Sequence, residues 1–580
     1  MRSARIGHTY SAATGVGGVG NDHAGFGFFQ YDPGAWDTGL DAFATSPPGG
    51  EFSFSGSDGA FHTETRAILD AGFTGQAGDH AAYFQFNYNP APPTTSFGNF
   101  WFGGIGNDLG PYPKSGGTPV ALAQVLIYAD AIAPSGKPLE LRAESQYGPS
   151  GNGFKFAFTG TGAWQNVGGP LSLATTFGTF DYNDPQIALL IAFGQNGNEI
   201  TAVDDGLDPS NVPQVTIDNL TLTIAQATWS TNASGNWSDN TKWNPIAPDG
   251  GNARAIFGSA ITAPQTVTMD GEHFAGTLVF DNTNSYTIGG TGTLNLRAIN
   301  TAAASGTFST IDVVSGSHSI SAPVILWGNT TISVGTGGAL AITGPLTTHA
   351  GTTITKTGAG TAQFENIRAA GLNVAAGTAK VSAKGTANSS SGTSVVSALA
   401  IAGGAQLDLT NNSMVIDYTG SVGSLVDDVR AHLQSGRLTS SSADSSKRLG
   451  YGDNVVLGKL AFAGQTVDAS SVLVKFTYAG DANLDGQVDI NDLASLATAW
   501  QTSGPWSSGD FDYNGSVDIN DLASLATNWQ AGVGAPLGQT FEQALAQVGL
   551  GNVVPEPGTA VGVGALVLTS AMRRRQRRGS

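Results

Sequence analysis

Apolar and polar residues alternate in short runs along the first 225 residues. Segments such as EFSFS, AAYFQFNY, FKFAFT and QVTIDNLTLTI carry an apolar side chain at every second position, and stretches rich in Gly, Pro and Asn separate them. A period of two is typical of strands with one buried face, and the separating residues favour tight turns. The pattern predicts an antiparallel sandwich or jelly roll over residues 1–225, in a chain that is mainly β.

Shorter alternating runs follow over residues 226–422. Runs of four to six residues recur at intervals of roughly ten to twenty, with Gly, Asn or Thr at the corners, which suits the stacked turns of a β-solenoid. The opening tryptophans Trp229, Trp237 and Trp243 and the spacing of Lys356, Gly358 and Gly360 resemble the autotransporter-associated β-strand repeat. That resemblance implies a surface-displayed fibrous scaffold, and it implies no catalysis.

The apolar period changes to about 3.6 near the start of a third region, residues 423–477. It passes through Leu425, Val426, Val429 and Leu433. One short helix is predicted there, with Ser424 and Asp427 as a capping pair and Gly436 at its end. A polar loop and two strands, KLAFAG and SVLVKFTY, complete the region.

An acidic phrase then occurs twice: DANLDGQVDINDLASLATAWQ begins at Asp481, and DFDYNGSVDINDLASLATNWQ begins at Asp510. Calcium prefers six to eight oxygen ligands, which a loop of about twelve residues supplies from positions 1, 3, 5, 7, 9 and 12, with Gly at position 6 for a sharp turn. Gly486 and Gly515 stand at that position. The predicted ligands of two calcium ions are Asp481, Asn483, Asp485, Gln487 (through its carbonyl), Asp489 and Asp492, and Asp510, Asp512, Asn514, Ser516, Asp518 and Asp521.

The flanks of these loops differ from those of an ordinary EF-hand. A strand-like segment precedes the first loop, where an entering helix would be needed, and a stripe of Leu, Ala and Trp with helical spacing follows each loop. Two loop–helix units without the leading helix resemble the type I dockerin over about residues 478–531. The resemblance implies docking into a cohesin-like module through Ile490, Asn491, Ile519 and Asn520. A calcium loop that only stabilises the domain is the alternative.

The C-terminal segment 554–578 follows a spacer at 532–553. Val554, Pro555, Glu556 and Pro557 precede an uncharged apolar run over 558–572 and then five arginines. At 1.5 Å per residue the run is shorter than the roughly 30 Å hydrocarbon core of a membrane. The segment resembles the PEP-CTERM sorting signal, which implies an exosortase-type processing enzyme; an ordinary C-terminal anchor is the alternative.

Composition and charge restrict the partners. Acidic residues outnumber basic ones 44 to 25, which gives a net charge of −19 and argues against nucleic acid, since phosphate binding needs Lys and Arg. There is no cysteine, so disulfides and thiolate metal sites are excluded. The sorting segment implies an extracellular or cell-surface protein, although no N-terminal signal peptide is visible in "MRSARIGHTYSAATG".

Nothing in the chain marks an active site. The eight histidines lack metal-ligand spacing, and neither G-x-S-x-G nor a P-loop occurs. We therefore interpret the chain as a non-catalytic modular surface protein with a calcium-dependent docking module. The alternative is a polysaccharide-binding or polysaccharide-degrading component. Trp36, Trp101 or Trp164 could offer sugars a flat apolar face. Hydrolysis of O-glycosyl bonds needs two carboxylates, to which Glu51, Glu64, Glu140 and Glu144 could contribute.

Overall fold

The structure is a computed structural model, and it is mainly β, as the sequence predicts. It describes the strands at 27–31, 51–55, 61–69, 81–88 and 101–108, and residues 112–551 except 133–134, 137, 146–151, 164, 184–186, 193–213 and 299–308. The chain forms two compact units, Met1–Ala362 and Gln363–Ser580. The boundary between them lies inside the region of short repeated strands.

The first unit begins with two six-stranded antiparallel sheets. One sheet has the order Gly27–Tyr31, Trp101–Asp108, Ile187–Ala192, Pro138–Ser145, Asn152–Thr159 and Thr175–Phe177. The other has the order Gln165–Pro170, Val125–Ile132, Gln214–Ile224, Ala81–Tyr88, Phe61–Leu69 and Glu51–Ser55. The four alternating segments quoted above all lie in these strands. A two-residue hairpin, Lys114–Ser115 with Thr118–Pro119, lies beside them in sequence.

Three ladders of parallel strands follow in the same unit. The first pairs Gln226–Trp229, Arg254–Phe257, Thr277–Asp281, Ser309–Ser315, Thr330–Val334 and Thr353–Thr357. The second pairs Gly235–Asn236, Gln265–Met269, Tyr286–Gly290, Ser317–Ile320 and Ala339–Ile342. The third pairs His273–Ala275, Leu294–Leu296, Val324–Leu326 and Leu346–Thr348. Trp243–Asn244 pairs antiparallel with the first strand of the first ladder, and Thr361–Phe364 is the next strand along the chain.

Several strands of the first two ladders bury every second side chain, so equivalent residues of successive strands stack in a core. Ile311 pairs with Ile332, which in turn pairs with Lys356, and all three are buried. The Lys356 ammonium donates hydrogen bonds to the carbonyls of Thr357 and Gly358, at 2.7 and 2.8 Å. Gly358 has a φ of 72°, and a Cβ there would lie 2.3 Å from the carbonyl oxygen of Val334. Only glycine fits at this corner.

The second unit contains two shorter parallel ladders and an antiparallel end. Arg368–Val374, Ser394–Ile401 and Met414–Asp417 form one ladder, and Thr378–Val381, Gln406–Asp408 and Leu438–Thr439 form the other. Ser471–Tyr478 then pairs antiparallel with both Met414–Asp417 and Lys447–Asp453. We call the pair Lys447–Asp453 and Ser471–Tyr478 the terminal hairpin. Ala461–Phe462 and Gln465–Thr466 form a small hairpin in its connection.

Five α-helices lie among the described residues of this unit: α1 Leu425–Gln434, α2 Asn454–Leu457, α3 Ile490–Thr498, α4 Ile519–Thr527 and α5 Phe541–Gln547. The predicted helix α1 is present, and Gly436 follows it with a φ of 73°. The predicted pairing of Ser424 with Asp427 is wrong. Ser424 donates instead to Asp428 at 2.8 Å, because Asp427 forms an ion pair with Arg430 at 3.0 Å.

Candidate metal centre

The two acidic loops end at the first turns of α3 and α4, and the same residues cap both helices. Asp489 and Asp518 are the N-cap residues, and each carboxylate accepts from the backbone two residues on, at 2.7 and 2.8 Å. Asp492 and Asp521 complete capping boxes by accepting from the N-cap N–H. A carboxylate in the first turn stabilises a helix. Loop and helix are therefore built as one element.

The two loop–helix halves are joined by crossed backbone hydrogen bonds. Val488 in the first loop exchanges bonds of 2.9 and 3.0 Å with Gln530 and Ala531, which follow α4. Val517 in the second loop does the same with Gln501 and Thr502, which follow α3, at 2.9 and 2.8 Å. Each loop is thus held by the end of the opposite half.

The second loop brings three carboxylates together. Single oxygens of Asp510, Asp512 and Asp521 all lie within 4.8 Å of one another. Asp510 and Asp521 are fully buried. Asp510 Oδ2 accepts from the N–H of Gly515 at 3.0 Å, whereas its Oδ1 is buried with no hydrogen-bond partner. A buried carboxylate oxygen without a donor is costly, and a cation bound there would compensate that cost.

The electrostatics of the second loop agree with that geometry. Burial, reinforced by the charges of Asp521 and Asp512, raises the pKa of Asp510 to about 7. Burial also raises the pKa of Asp521, although backbone N–H groups of Asp518 and Phe511 oppose it. Neutralisation by a cation would remove this cost.

The first loop is organised differently around its position 1. Asp481 is fully buried, and its Oδ1 accepts from the N–H of Asp485 at 3.0 Å. Its Oδ2 accepts from the N–H of Gly486 at 2.8 Å and from the hydroxyl of Thr477. The ammonium of Lys475 lies 4.0 Å from the same oxygen. Burial raises the pKa of Asp481, and the charge of Lys475 opposes the rise.

The last residue of the first loop, Asp492, is buried and receives three backbone N–H groups. It accepts from Ala482 at 2.8 Å, Asn483 at 3.1 Å and Asp489 at 2.8 Å. Burial nevertheless raises the pKa of Asp492 to about 8. The two loops therefore share one plan, with deeply buried acids at both ends.

The remaining predicted ligands are the more accessible ones. Asn483, Asp485, Asp512 and Asn514 accept from backbone N–H groups two residues further on, at 2.7–3.0 Å. Gln487 and Ser516 follow Gly486 and Gly515, whose φ values of 97° and 90° turn the chain at position 6. The donor set contains oxygen alone, which suits a hard cation such as Ca²⁺ better than zinc or copper. The residues present fit calcium.

Tertiary packing adds residues that the loop motif does not contain. Tyr513 donates to the carbonyl of Leu449 at 2.8 Å, and Arg448 donates to the carbonyl of Phe511 at 3.1 Å. Lys475 donates to the carbonyl of Leu484 at 2.8 Å. These contacts seat both loops on the terminal hairpin. The sequence signal for these contacts is a lysine that follows the apolar residues VLV within the strand segment SVLVKFTY.

The predicted partner-binding residues lie at the starts of α3 and α4, next to the metal ligands. Ile490 is half-buried, Asn491 and Asn520 are exposed, and Ile519 is 53% exposed. The two copies are therefore not equally accessible. The predicted sorting residues Val554, Pro555, Glu556 and Pro557 lie outside the described residues. Within the described part of the chain, no helix has the length and apolarity needed to cross a membrane.

The carboxylates considered for hydrolysis do not form a described pair. Glu140 is bonded to Arg142 and, at 2.8 Å, to Lys155. Burial opposes its ionisation, but these two cations outweigh burial and lower the pKa of Glu140. The side chains of Glu51, Glu64, Glu144 and Trp101 lie outside the described residues, as do Trp36 and Trp164.

Comparisons with known proteins do not identify a family for this chain. No family model matches it, and no curated protein matches it. Among solved structures, it is similar to the family 11 carbohydrate-binding module of the cellulosomal cellulase Lic26A-Cel5E of Clostridium thermocellum, with 14% identity, a TM-score of 0.19 and coverage of 31% of this chain and 89% of that one.

Two further solved structures give similar values. A CBM4 structure has 16% identity and a TM-score of 0.16, covering 27% of this chain and 77% of that one. An exo-β-agarase has 9% identity and a TM-score of 0.17, covering 30% of this chain and 23% of that one. Scores this low carry no argument about the fold or the function of this chain.

Proposed function

We propose that this chain is a modular, non-catalytic surface protein whose C-terminal part binds two calcium ions and docks onto another protein. The observation that carries the proposal is the buried, partnerless Oδ1 of Asp510 within a cluster of three carboxylates. The sequence spacing supports the same proposal for the first loop, whose acids are buried at the same positions.

Calcium would serve as a structural ion. When bound, it would supply positive charge to the buried carboxylates. The twelve predicted loop ligands would coordinate it through oxygen atoms. The chain's own residues position these oxygens: the capping boxes fix Asp492 and Asp521, and Gly486 and Gly515 turn each loop. Because unpaired buried carboxylates repel one another, we expect folding of the two halves to be coupled to the metal.

Docking is proposed from the exposed start of α4 and its counterpart on α3. Ile519 and Asn520 present an apolar and an amide side chain beside the second loop. A cohesin-like module is the proposed partner, on the strength of the sequence resemblance. The ladders of parallel strands would form a β-solenoid spacer, and the segment after residue 553 would be the sorting signal.

A calcium titration of the full chain by isothermal calorimetry tests the proposal. We expect two ions per chain, with a gain in helical circular dichroism and a higher melting temperature; at a hundredfold excess over Kd each site adds about 2.7 kcal/mol. Asp481→Ala combined with Asp510→Ala should abolish both effects. Glu542→Gln, an exposed carboxylate on α5 outside the loops, is the matched control and should leave them unchanged. Absence of binding heat and of structural gain in the parent would refute the proposal.

The docking step has its own assay. The calcium-loaded chain is passed over an immobilised cohesin module, and retention is compared with that in EGTA. We expect retention only with calcium, and a loss of retention when Ile519→Asp is combined with Asn520→Asp. A chain that binds two ions but is never retained would leave calcium as a stabilising ion only.

A second candidate function is polysaccharide binding by the antiparallel sheets of the first unit. Their two-sheet architecture supports it. The probe is a β-1,3-1,4-glucan, the mixed-linked sugar found in complex with a family 11 carbohydrate-binding module from Clostridium thermocellum. Affinity electrophoresis of the full chain in gels with and without this glucan should show retardation that the empty gel lacks. Unchanged mobility would contradict the idea for this polysaccharide, and release of reducing ends would favour the degrading alternative.

A further inference from the structure

The first loop has a cation of the protein's own next to its metal ligands. Lys475 lies on the terminal hairpin, six residues before the loop begins, and its side chain is only 15% exposed. Its ammonium donates to the carbonyl of Leu484 at 2.8 Å and lies 4.0 Å from Asp481 Oδ2. A Cβ added to Gly486 would be 3.2 Å from it. The ammonium therefore bonds to position 4 and lies beside positions 1 and 6 of the loop.

Two cations of the protein approach the second loop: Arg448 donates to the carbonyl of Phe511 at 3.1 Å, and Arg430 is already paired with another acid. The guanidinium of Arg430, on α1, lies 3.3 Å from the Cβ position of Gly515. Arg430 forms its ion pair with Asp427 of its own helix, at 3.0 Å. Asp510 accepts from Gly515 and keeps Oδ1 without a partner. Residue 504, the counterpart of Lys475 in the second half, is a glycine.

We propose that the two calcium sites are unequal, and that Lys475 makes the first loop the weaker site by placing a fixed positive charge against Asp481. This inference rests on the proposed function, since it assumes that both loops bind calcium. Neither Arg448 nor Arg430 forms an ion pair with the acids of the second loop, which would therefore fill first. A fixed like charge beside a buried cation site lowers its affinity on the order of tenfold or more, because little water screens it.

The consequence is a graded response to calcium. At low concentration the second loop alone would be filled. The first loop would fill only at higher concentration. The near-identical loop sequences conceal this difference, since its cause lies in a strand outside the repeat.

The test isolates each site in the full chain. Asp510→Ala leaves the first loop, Asp481→Ala leaves the second, and calorimetry gives a calcium Kd for each. We expect the first loop to bind about tenfold more weakly or worse. Adding Lys475→Met to Asp510→Ala should lower the calcium Kd of the first loop by a similar factor. Adding Arg430→Met to Asp481→Ala is the matched control. It should change the calcium Kd of the second loop by less than about twofold, because Asp427 already neutralises Arg430.

The outcomes separate this inference from the proposed function. If the parent binds no calcium, the proposed function itself fails. If both loops bind with equal Kd, or if Lys475→Met leaves the first loop unchanged or weaker, the inference is overturned while calcium binding stands. Circular dichroism of each variant verifies folding, and Lys475→Gln replaces Lys475→Met if the latter does not fold.

Discussion

Lys356 provides a sharp test of the ladder core in the first unit. Its side chain takes an inward position opposite Ile332 and is fully buried. Burial lowers the pKa of Lys356 from 10.5 to about 8. At about 1.36 kcal/mol for each pKa unit, the difference corresponds to about 3 kcal/mol. Between pH 8 and 10.5 the unfolded chain holds the proton and the folded chain does not, so stability should rise with pH across that window.

The assay compares the parent with Lys356→Met, which fills the same space without a titrating group. Urea unfolding is followed by tryptophan fluorescence at several values from pH 7 to pH 10.5. The free energy of unfolding of the parent, minus that of the variant, should be constant below about pH 7.5 and then increase by about 3 kcal/mol. Other lysines and tyrosines titrate in both proteins and cancel. A difference that stays flat over the whole range would refute the argument.

Two further predictions concern the same unit. Burial opposes protonation of His273, but hydrogen bonds of 3.1 Å to Asp249 and to Asp270, with their charges, outweigh it and raise the pKa of His273. The stabilisation of the fold by protonated His273 is complete below pH 6.5 and is lost as pH rises through the folded pKa. The melting temperatures of the parent and of His273→Asn should therefore converge at alkaline pH. A difference in melting temperature that is independent of pH would disprove this. Gly358→Ala should lower the free energy of unfolding in urea melts by about 2 kcal/mol or more, because its Cβ would meet a carbonyl oxygen. Gly337→Ala, with a φ of 74° and open space around it, should lower the free energy of unfolding by about 1 kcal/mol. Equal losses would contradict the steric argument.

The sequence predicted the local elements because their signals are local. Alternation located the strands, a 3.6 period located α1, and loop spacing placed the acids that the structure buries at Asp481, Asp492, Asp510 and Asp521. The assignment of twelve calcium ligands stays a prediction, supported most directly by the orphaned oxygen of Asp510.

The tertiary contacts could not be predicted from the sequence. Nothing in the loop motif indicates that Lys475 and Thr477 contact Asp481, because that contact depends on how the loops pack on the terminal hairpin. Ser424 was assigned the wrong acid for a similar reason, since Arg430 competes for Asp427. Lys356 resembles a surface residue by type, and only its register with Ile332 shows that it is buried.

The crossed pairing of Val488 with Gln530 and of Val517 with Gln501 has a consequence for any attempt to divide the C-terminal repeat. A single copy made alone would present a loop whose bonding partner belongs to the missing copy. Two such fragments could satisfy each other reciprocally, so an isolated half should exist in solution as an exchanged homodimer rather than as a small folded monomer.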